Sequence, residues 1–234
     1  MSISAVVTGG TRGIGFAIAE RLISDGLDVL VTGTKKIDSG PPHSDYRCVN
    51  FKEENELEEF AEFLKYKEVD ILVNNAGINK IDKFQDISPS DFDQILQVNL
   101  KAPFLLCQAV IPSMKKRNWG RIINISSIFG HVTKEYRASY SSSKFGLDGM
   151  TAAIAAELSQ FNILANCIGP GFIDTELTRK VLGPEGILEM SNKIPIKRLG
   201  NASEIAALVS WLASEENTYI TGQNIMIDGG FTRV

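Results

Sequence analysis

Short apolar runs alternate along the chain with longer stretches whose apolar residues recur every three to four positions. The runs at 4–8, 28–32, 46–50, 70–74, 120–126, 163–168 and 224–227 are rich in β-branched residues, and several have no polar alternation. A strand covered on both faces has no polar side, so these runs predict strands of a parallel sheet. The stretches 14–24, 54–64, 88–116, 140–158 and 202–212 carry the helical period instead. Strand–helix alternation with short connections predicts an α/β chain: one doubly wound domain over 1–234, with a seven-stranded parallel sheet flanked by helices.

Two stretches break this rhythm. Residues 35–45 contain Gly40-Pro41-Pro42 and cannot hold a long helix, so the second crossover is expected to be a loop or short turn. Residues 172–200 follow Pro170-Gly171 and are interrupted by Gly183-Pro184 and Pro195. This is too long for an ordinary connection and is a candidate substrate lid. No repeat or low-complexity tract divides the chain.

Composition narrows the class. The 234 residues are 44% hydrophobic and 22% charged, the balance of a soluble globular domain. Lys and Arg number 24 against 28 Asp and Glu, and the net charge of -4 argues against a nucleic-acid partner. Cys48, Cys107 and Cys167 are far apart, and His43 and His131 have no His or Cys at ligand spacing, so no metal site is expected. The N-terminus lacks the succession of a signal peptide, and no uninterrupted apolar run approaches a membrane span. A cytoplasmic location without membrane association is the expectation.

The first strand runs into Thr8-Gly9-Gly10-Thr11-Arg12-Gly13-Ile14-Gly15 and then a helix. Glycines at 9, 13 and 15 allow a tight turn, close approach of backbone to a pyrophosphate, and close helix–strand packing. The helix start supplies free N–H groups and the positive end of its dipole. Strand before and helix after make this a Rossmann-type dinucleotide loop involving Gly9, Thr11, Arg12, Gly13, Ile14 and Gly15.

The spacing Gly-x-x-x-Gly-x-Gly resembles the short-chain dehydrogenase/reductase family. The resemblance continues through Asn74-Asn75-Ala76-Gly77, Asn99, Ser127, Tyr140-x-x-x-Lys144, Pro170-Gly171, Tyr219-Ile220-Thr221-Gly222 and Asp228-Gly229-Gly230. It covers nearly the whole chain and is most like the bacterial 3-oxoacyl-[acyl-carrier-protein] reductase group.

Tyr140 and Lys144 are four apart on a predicted helix and share one face. Spacing alone favours a surface Lys above a core Tyr; the resemblance reverses that and gives the pair its chemistry. A nearby ammonium would lower the phenol's ordinary value near 10, and Tyr140 would exchange a proton with the substrate oxygen. Lys144 would also hold the nicotinamide ribose. Ser127, after a predicted strand, would hydrogen-bond the same substrate oxygen. Ser126 is the rival, with a strand position that suits backbone pairing. The resemblance gives Asn99 the role of bending its helix and supporting a water that links Lys144 to solvent. Asn74 and Asn75 would brace the central sheet, while Ala76 and Gly77 would let the cofactor approach the backbone. A serine-hydrolase reading fails, since no Gly-x-Ser-x-Gly occurs.

NAD-specific folds place a carboxylate at the end of the second strand. Here Thr32-Gly33-Thr34-Lys35-Lys36 follows, with none before Asp38. Arg12, Thr34 and Lys35 suit a 2′-phosphate, so NADP(H) is the expected cofactor. NAD(H) is the alternative, if Asp38 folds back onto the ribose. By resemblance Asn50 and Phe51 would flank the adenine, while Pro170, Gly171, Ile173 and Thr175 would hold the nicotinamide end.

The expected substrate is a ketone, either a small molecule or one linked to an acyl carrier. Leu177, Val181, Leu182, Ile187, Leu188 and Met190 could contact an acyl chain or a subunit. An acidic carrier needs cations at the site mouth, and Lys115-Lys116-Arg117 is a candidate, whereas the turn Ser159-Gln160-Phe161-Asn162 has none. A sugar-derived ketone and a catalytically silent NADP-binding regulator are the other readings. A nucleotide-sugar epimerase would need a larger segment after Gly171. Apolar and small residues on most faces of 146–158, and the apolar stretch 102–114, predict a homotetramer.

Overall fold

The computed structural model describes residues 3–37 and 40–234. The chain runs β1 (Ser4–Val7), α1 (Gly13–Ser24), β2 (Asp28–Gly33), β3 (Asp45–Cys48), α2 (Glu54–Tyr66) and β4 (Ile71–Asn74). It continues through α3 (Pro89–Leu96), α4 (Ala102–Arg117), β5 (Gly120–Ile125), α5 (Ala138–Leu158) and β6 (Ile163–Pro170). The final third holds β7 (Ile173–Asp174), α6 (Glu176–Lys193), β8 (Gly200–Asn201), α7 (Ala202–Ala213) and β9 (Asn224–Ile227). Among the described residues the main sheet has seven strands in the order β3-β2-β1-β4-β5-β6-β9. Every pairing in it is parallel.

Register explains why the strands read as continuous apolar runs. Val6, Leu30, Leu72 and Ile122 lie side by side across β1, β2, β4 and β5. They face a core layer built with Leu57, Leu64, Leu106, Val110 and Leu158 from α2, α4 and α5. The intervening residues Val7, Val31, Val73 and Ile123 face a second core with Ile18, Leu22, Val209 and Leu212 from α1 and α7. Each strand thus alternates between two dry layers. The order reverses between β1 and β4, which opens the crevice at the carboxyl ends of these strands where α/β ligands sit.

The predicted helix over 88–116 is helical throughout but not uniform. Ser88 caps it by accepting the Asp91 N–H, and a π-helical turn at Gln97–Lys101 separates α3 from α4. The stretch Pro89–Arg117 is long and apolar enough to cross a membrane, contrary to the sequence expectation, but half of its most apolar part is buried inside the domain. Scattered charges hide it from a search for uninterrupted runs. Residues 172–200, expected as an irregular segment, form α6 bracketed by the small parallel pair β7–β8. α6 breaks at Gly183, whose φ of 63° and ψ of 175° leave the helical region ahead of Pro184, a conformation that favours glycine. No α6 side chain is buried.

Candidate active site

The loop after β1 is tied to both neighbouring strands. The Thr8 hydroxyl accepts the N–H groups of Asn75 (2.9 Å) and Ala76 (3.0 Å), and the Asn75 side chain donates to the carbonyls of Thr8 and Gly9. The Thr32 hydroxyl accepts the Gly9 N–H at 3.1 Å. Gly9 sits at a φ of +66°, and its Cβ position lies 3.1 Å from Ala76 Cα. A Cβ at Gly15 would fall 2.3 Å from Asn75 Nδ2 and 2.4 Å from the Gly9 carbonyl oxygen, so only glycine fits there. Gly13 is exposed at a φ of +55°, and a Cβ added there would meet only the Thr175 side chain, at 3.5 Å. The concave backbone and the open first turn of α1, which carries no acidic side chain, fit the pyrophosphate of a dinucleotide.

Four predicted residues converge at the ends of β4 and β5. Ser127 follows β5, and its oxygen accepts the Phe129 N–H at 3.1 Å, which leaves its own proton free to donate. It shares a hydrogen bond with the Tyr140 hydroxyl. Lys144, one turn further along α5, is buried; its Nζ lies 5.7 Å from the centre of the Tyr140 ring and donates to the Ile125 carbonyl at 2.8 Å. Asn99, in the π-helical turn, is fully buried. Its oxygen accepts the Ile78 N–H at 2.8 Å, while its nitrogen donates to the Ile78 carbonyl and the Ser143 hydroxyl. Ser143 in turn donates to the Tyr140 carbonyl. A Cβ at Gly77 would stand 3.5 Å from Asn99 Oδ1 and 3.7 Å from Lys144 Nζ. The missing side chain therefore leaves a gap between those two polar atoms. Ser126, the rival serine, donates its N–H to Ile168 and its hydroxyl to the Lys144 carbonyl, consistent with backbone pairing.

Charge in this site is governed by burial. The Tyr140 residue is only partly covered, but its hydroxyl end is deep, and burial raises it above the ordinary phenol value. The Ser127 hydroxyl and the Arg137 guanidinium act against that rise without overcoming it. Lys144 does not supply the lowering expected from the sequence. Its own ammonium is pulled from 10.5 to about 8 by burial. Cys107 and Cys167 are buried free thiols, each pushed up to about 12 by burial and unreactive at neutral pH.

The other predicted residues are distributed around this centre. Thr11, Arg12, Thr34 and Lys35 follow β1 and β2; of these Arg12, Thr34 and Lys35 are exposed, and Arg12 makes no ion pair among the described residues. Asp38, on which the NAD alternative turns, lies outside the described residues. Asn50 is half-buried after β3, with its N–H on the Glu56 carboxylate. The Phe51 ring is only 5% exposed and packs on Phe60, so backbone alone is left to meet a ligand there. Pro170 ends β6, and Gly171 touches Asp228, where a Cβ would come within 2.7 Å of the backbone. Ile173 is buried, and Thr175 caps α6 by accepting the Thr178 N–H. Sequence reasoning missed Thr8, Thr32, Arg137, Ser143 and the residues Asn124, Thr151 and Cys167 that continue from Asn74 behind the site. The basic run lies away from this centre. Arg117 pairs with Asp70 just before β4, and Lys115 lies over the Phe161 ring just before β6. Both are at the amino ends of the strands, opposite the crevice.

A doubly wound sheet, a glycine loop feeding α1, and a Ser–Tyr–Lys–Asn cluster at the strand ends define an oxidoreductase of the dinucleotide-binding class. A family model described as Enoyl-(Acyl carrier protein) reductase matches residues 9–232. The chain belongs to the short-chain dehydrogenase/reductase family, oxidoreductases of CH–OH groups. It is 40% identical over 238 residues to the 3-oxoacyl-[acyl-carrier-protein] reductase FabG of Aquifex aeolicus, covering 97% of this chain and 96% of that one. It is 38% identical over 241 residues to FabG of Escherichia coli, covering 98% and 97%. Among solved structures it resembles a gluconate 5-dehydrogenase from Burkholderia cenocepacia in complex with NADP and tartrate. That match has a TM-score of 0.91 and 27% identity and covers 100% of this chain and 97% of the other.

Proposed function

We propose that the protein is an NADP(H)-dependent reductase that converts a ketone to a secondary alcohol, with Tyr140 as proton donor. The observation that carries this reading is the Ser127–Tyr140 hydroxyl pair at the end of β5, with the phenol held protonated by burial. The bound nicotinamide would supply the hydride. Gly9, Thr11, Arg12, Gly13, Ile14 and Gly15 would hold the pyrophosphate, with Arg12, Thr34 and Lys35 on the 2′-phosphate. Asn50 and Phe51 would border the adenine through backbone. Asn75, Ala76, Gly77, Tyr140 and Lys144 would border the nicotinamide ribose, and Pro170, Gly171, Ile173 and Thr175 the nicotinamide.

Ser127 donates to the carbonyl oxygen and stabilises its growing charge. Tyr140 passes its proton to that oxygen as the alcohol forms. Lys144 holds a ribose hydroxyl, while burial keeps Tyr140 in its protonated state. Asn99 is a positioning residue: it fixes the backbone at Ile78, beside the gap at Gly77 that has room for a water between Oδ1 and Nζ. The segment 172–200 serves as the lid, since α6 is an exposed element hinged at Gly183.

The FabG relatives make a 3-oxoacyl group on an acyl carrier the first substrate to test, and the exposed Leu177, Val181 and Leu188 of α6 offer it apolar contact. The gluconate dehydrogenase among the structural relatives favours a second reading, a small polar oxo acid. The three free cysteines suit a reducing cytoplasm. Assembly as a homotetramer is supported by α4 and α5. Phe104, 46% exposed, lines a depression with Leu96, Leu100, Lys101, Gly146 and Met150, and the exposed Phe145, Ala152, Ala153 and Ala156 add to the open surface of α5.

The test is Tyr140→Phe, assayed by NADPH oxidation with ketones of both kinds. Turnover is expected to vanish while NADPH affinity stays within a few-fold, because only the proton donor is lost. Undiminished turnover would remove Tyr140 from the mechanism.

A further inference from the structure

Arg137 stands immediately before α5, one turn ahead of Tyr140. Its guanidinium carbon lies 5.2 Å from the centre of the Phe129 ring, and the Phe129 N–H is the group that holds the Ser127 oxygen. Arg137 therefore flanks both members of the reacting pair and interacts electrostatically with the Tyr140 hydroxyl. It makes no ion pair among the described residues. Its Nε is sealed from solvent without a hydrogen-bond partner, whereas its Nη nitrogens keep access to solvent. A half-buried guanidinium has lost part of its hydration, and a cation in that position is normally matched by an anion. Two exposed arginines of this chain do find one: Arg179 binds Asp174 and Arg198 binds Glu204 through paired contacts.

We infer that Arg137 is the substrate-anchoring residue of this site and takes a free carboxylate carried close to the reacting carbonyl, so that the substrate class is the oxo acids. The planar fork of the guanidinium matches a carboxylate through two parallel hydrogen bonds. Its place beside Tyr140 limits the carboxylate to a few bonds from the ketone. A thioester on an acyl carrier presents only a neutral carbonyl there, with no anion for the guanidinium. This inference rests on the reading of Ser127 and Tyr140 as the reacting pair; it selects among substrates for that pair.

The experiment uses matched pairs of free oxo acids and their ethyl esters: acetoacetate, levulinate and 5-oxohexanoate. Turnover is followed by NADPH oxidation, and binding to the NADP+-saturated protein by calorimetry. For at least one pair the acid is expected to be preferred tenfold or more in kcat/KM or affinity. Arg137→Met should abolish that preference, raising KM for the acid at least tenfold relative to the ester of the same chain length, and should leave NADPH affinity unchanged; any change in kcat through Tyr140 should be shared by acid and ester. Esters equal to or better than acids at every chain length, or no detectable acid binding at all, would overturn the inference. So would a preference that survives Arg137→Met. If Arg137→Met does not fold, Arg137→Gln and the wild-type acid-to-ester ratio still decide. Ester turnover that depends on Tyr140 but shows no acid preference would sink the carboxylate and leave the reductase standing. Acid turnover undiminished in Tyr140→Phe would instead sink the reductase reading.

Discussion

Lys144→Met should make the unliganded protein more stable at pH 7 while destroying its activity. The ammonium is 4% exposed, and burial pulls it from 10.5 to about 8. In the unfolded chain it keeps its ordinary value. Below about pH 8 both states hold the proton, and the folded state carries the full penalty of the buried charge, about 3 kcal/mol. Between 8 and 10.5 the unfolded chain holds a proton that the folded chain has lost, so stability rises with pH. Above 10.5 the penalty is gone. Methionine matches the length of the stem and removes the charge, but forfeits the bond to the Ile125 carbonyl, worth about 1 kcal/mol. The net gain at pH 7 should be about 2 kcal/mol, or roughly 5 °C in melting temperature for a domain of this size, shrinking to about zero near pH 10. Urea melts of both proteins at pH 7 and pH 10, followed by circular dichroism, read this directly. A variant less stable than the wild type at pH 7, by a margin that pH does not change, would refute the argument that burial of this charge sets its energetics.

Arg12→Ala should weaken NADPH binding more than NADH binding. A cation–phosphate contact is worth roughly 1.5–3 kcal/mol, and the exposure of Arg12 points to the low end, about tenfold; equal losses for both cofactors in fluorescence titrations would show that Arg12 does not read the 2′-phosphate. Gly15→Ala should abolish cofactor binding and lower the melting temperature by several degrees, because the added methyl overlaps Asn75 and the Gly9 carbonyl; a variant that still binds NADPH with wild-type affinity would show that this loop is not the cradle. Light scattering at micromolar concentration should give a tetramer, and a monomer mass near 25.6 kDa would sink that assembly.

The layers were legible because every strand of the sheet's centre is covered on both faces, so Val6, Val31, Leu72 and Ile123 leave no polar gap in their runs. The glycine loop and the Tyr140–Lys144 spacing were legible because both are local: one turn of chain contains each. The π-helical turn at Gln97–Lys101 was not legible in the periodicity, since the helical period runs through it; only the resemblance put a bend at Asn99, whose side chain is committed to Ile78. The place of the basic run Lys115–Arg117 was not legible for a different reason: composition marks the charge, and only the sheet's polarity shows that α4 delivers it to the amino ends of the strands. Arg137 carries no motif, and its significance comes from Phe129, eight residues earlier, and from its making no ion pair among the described residues.

Lys144 and Tyr140 were expected to work as a cation lowering an acid, yet burial moves both toward their neutral forms. A phenol above its ordinary range is a poor base and stays protonated at neutral pH, which suits donation to a ketone oxygen. An ammonium near 8 keeps most of its charge at pH 7, so it can still hold a ribose hydroxyl. The reverse reaction needs the phenolate, and the groups placed to favour it are Ser127 and Arg137. A carboxylate seated on Arg137 would neutralise one of these and raise the phenol further. An oxo acid would therefore strengthen the donor form of Tyr140 on binding, and an uncharged ketone would not. On this geometry the charge of the substrate and the direction of proton transfer are coupled through a single guanidinium.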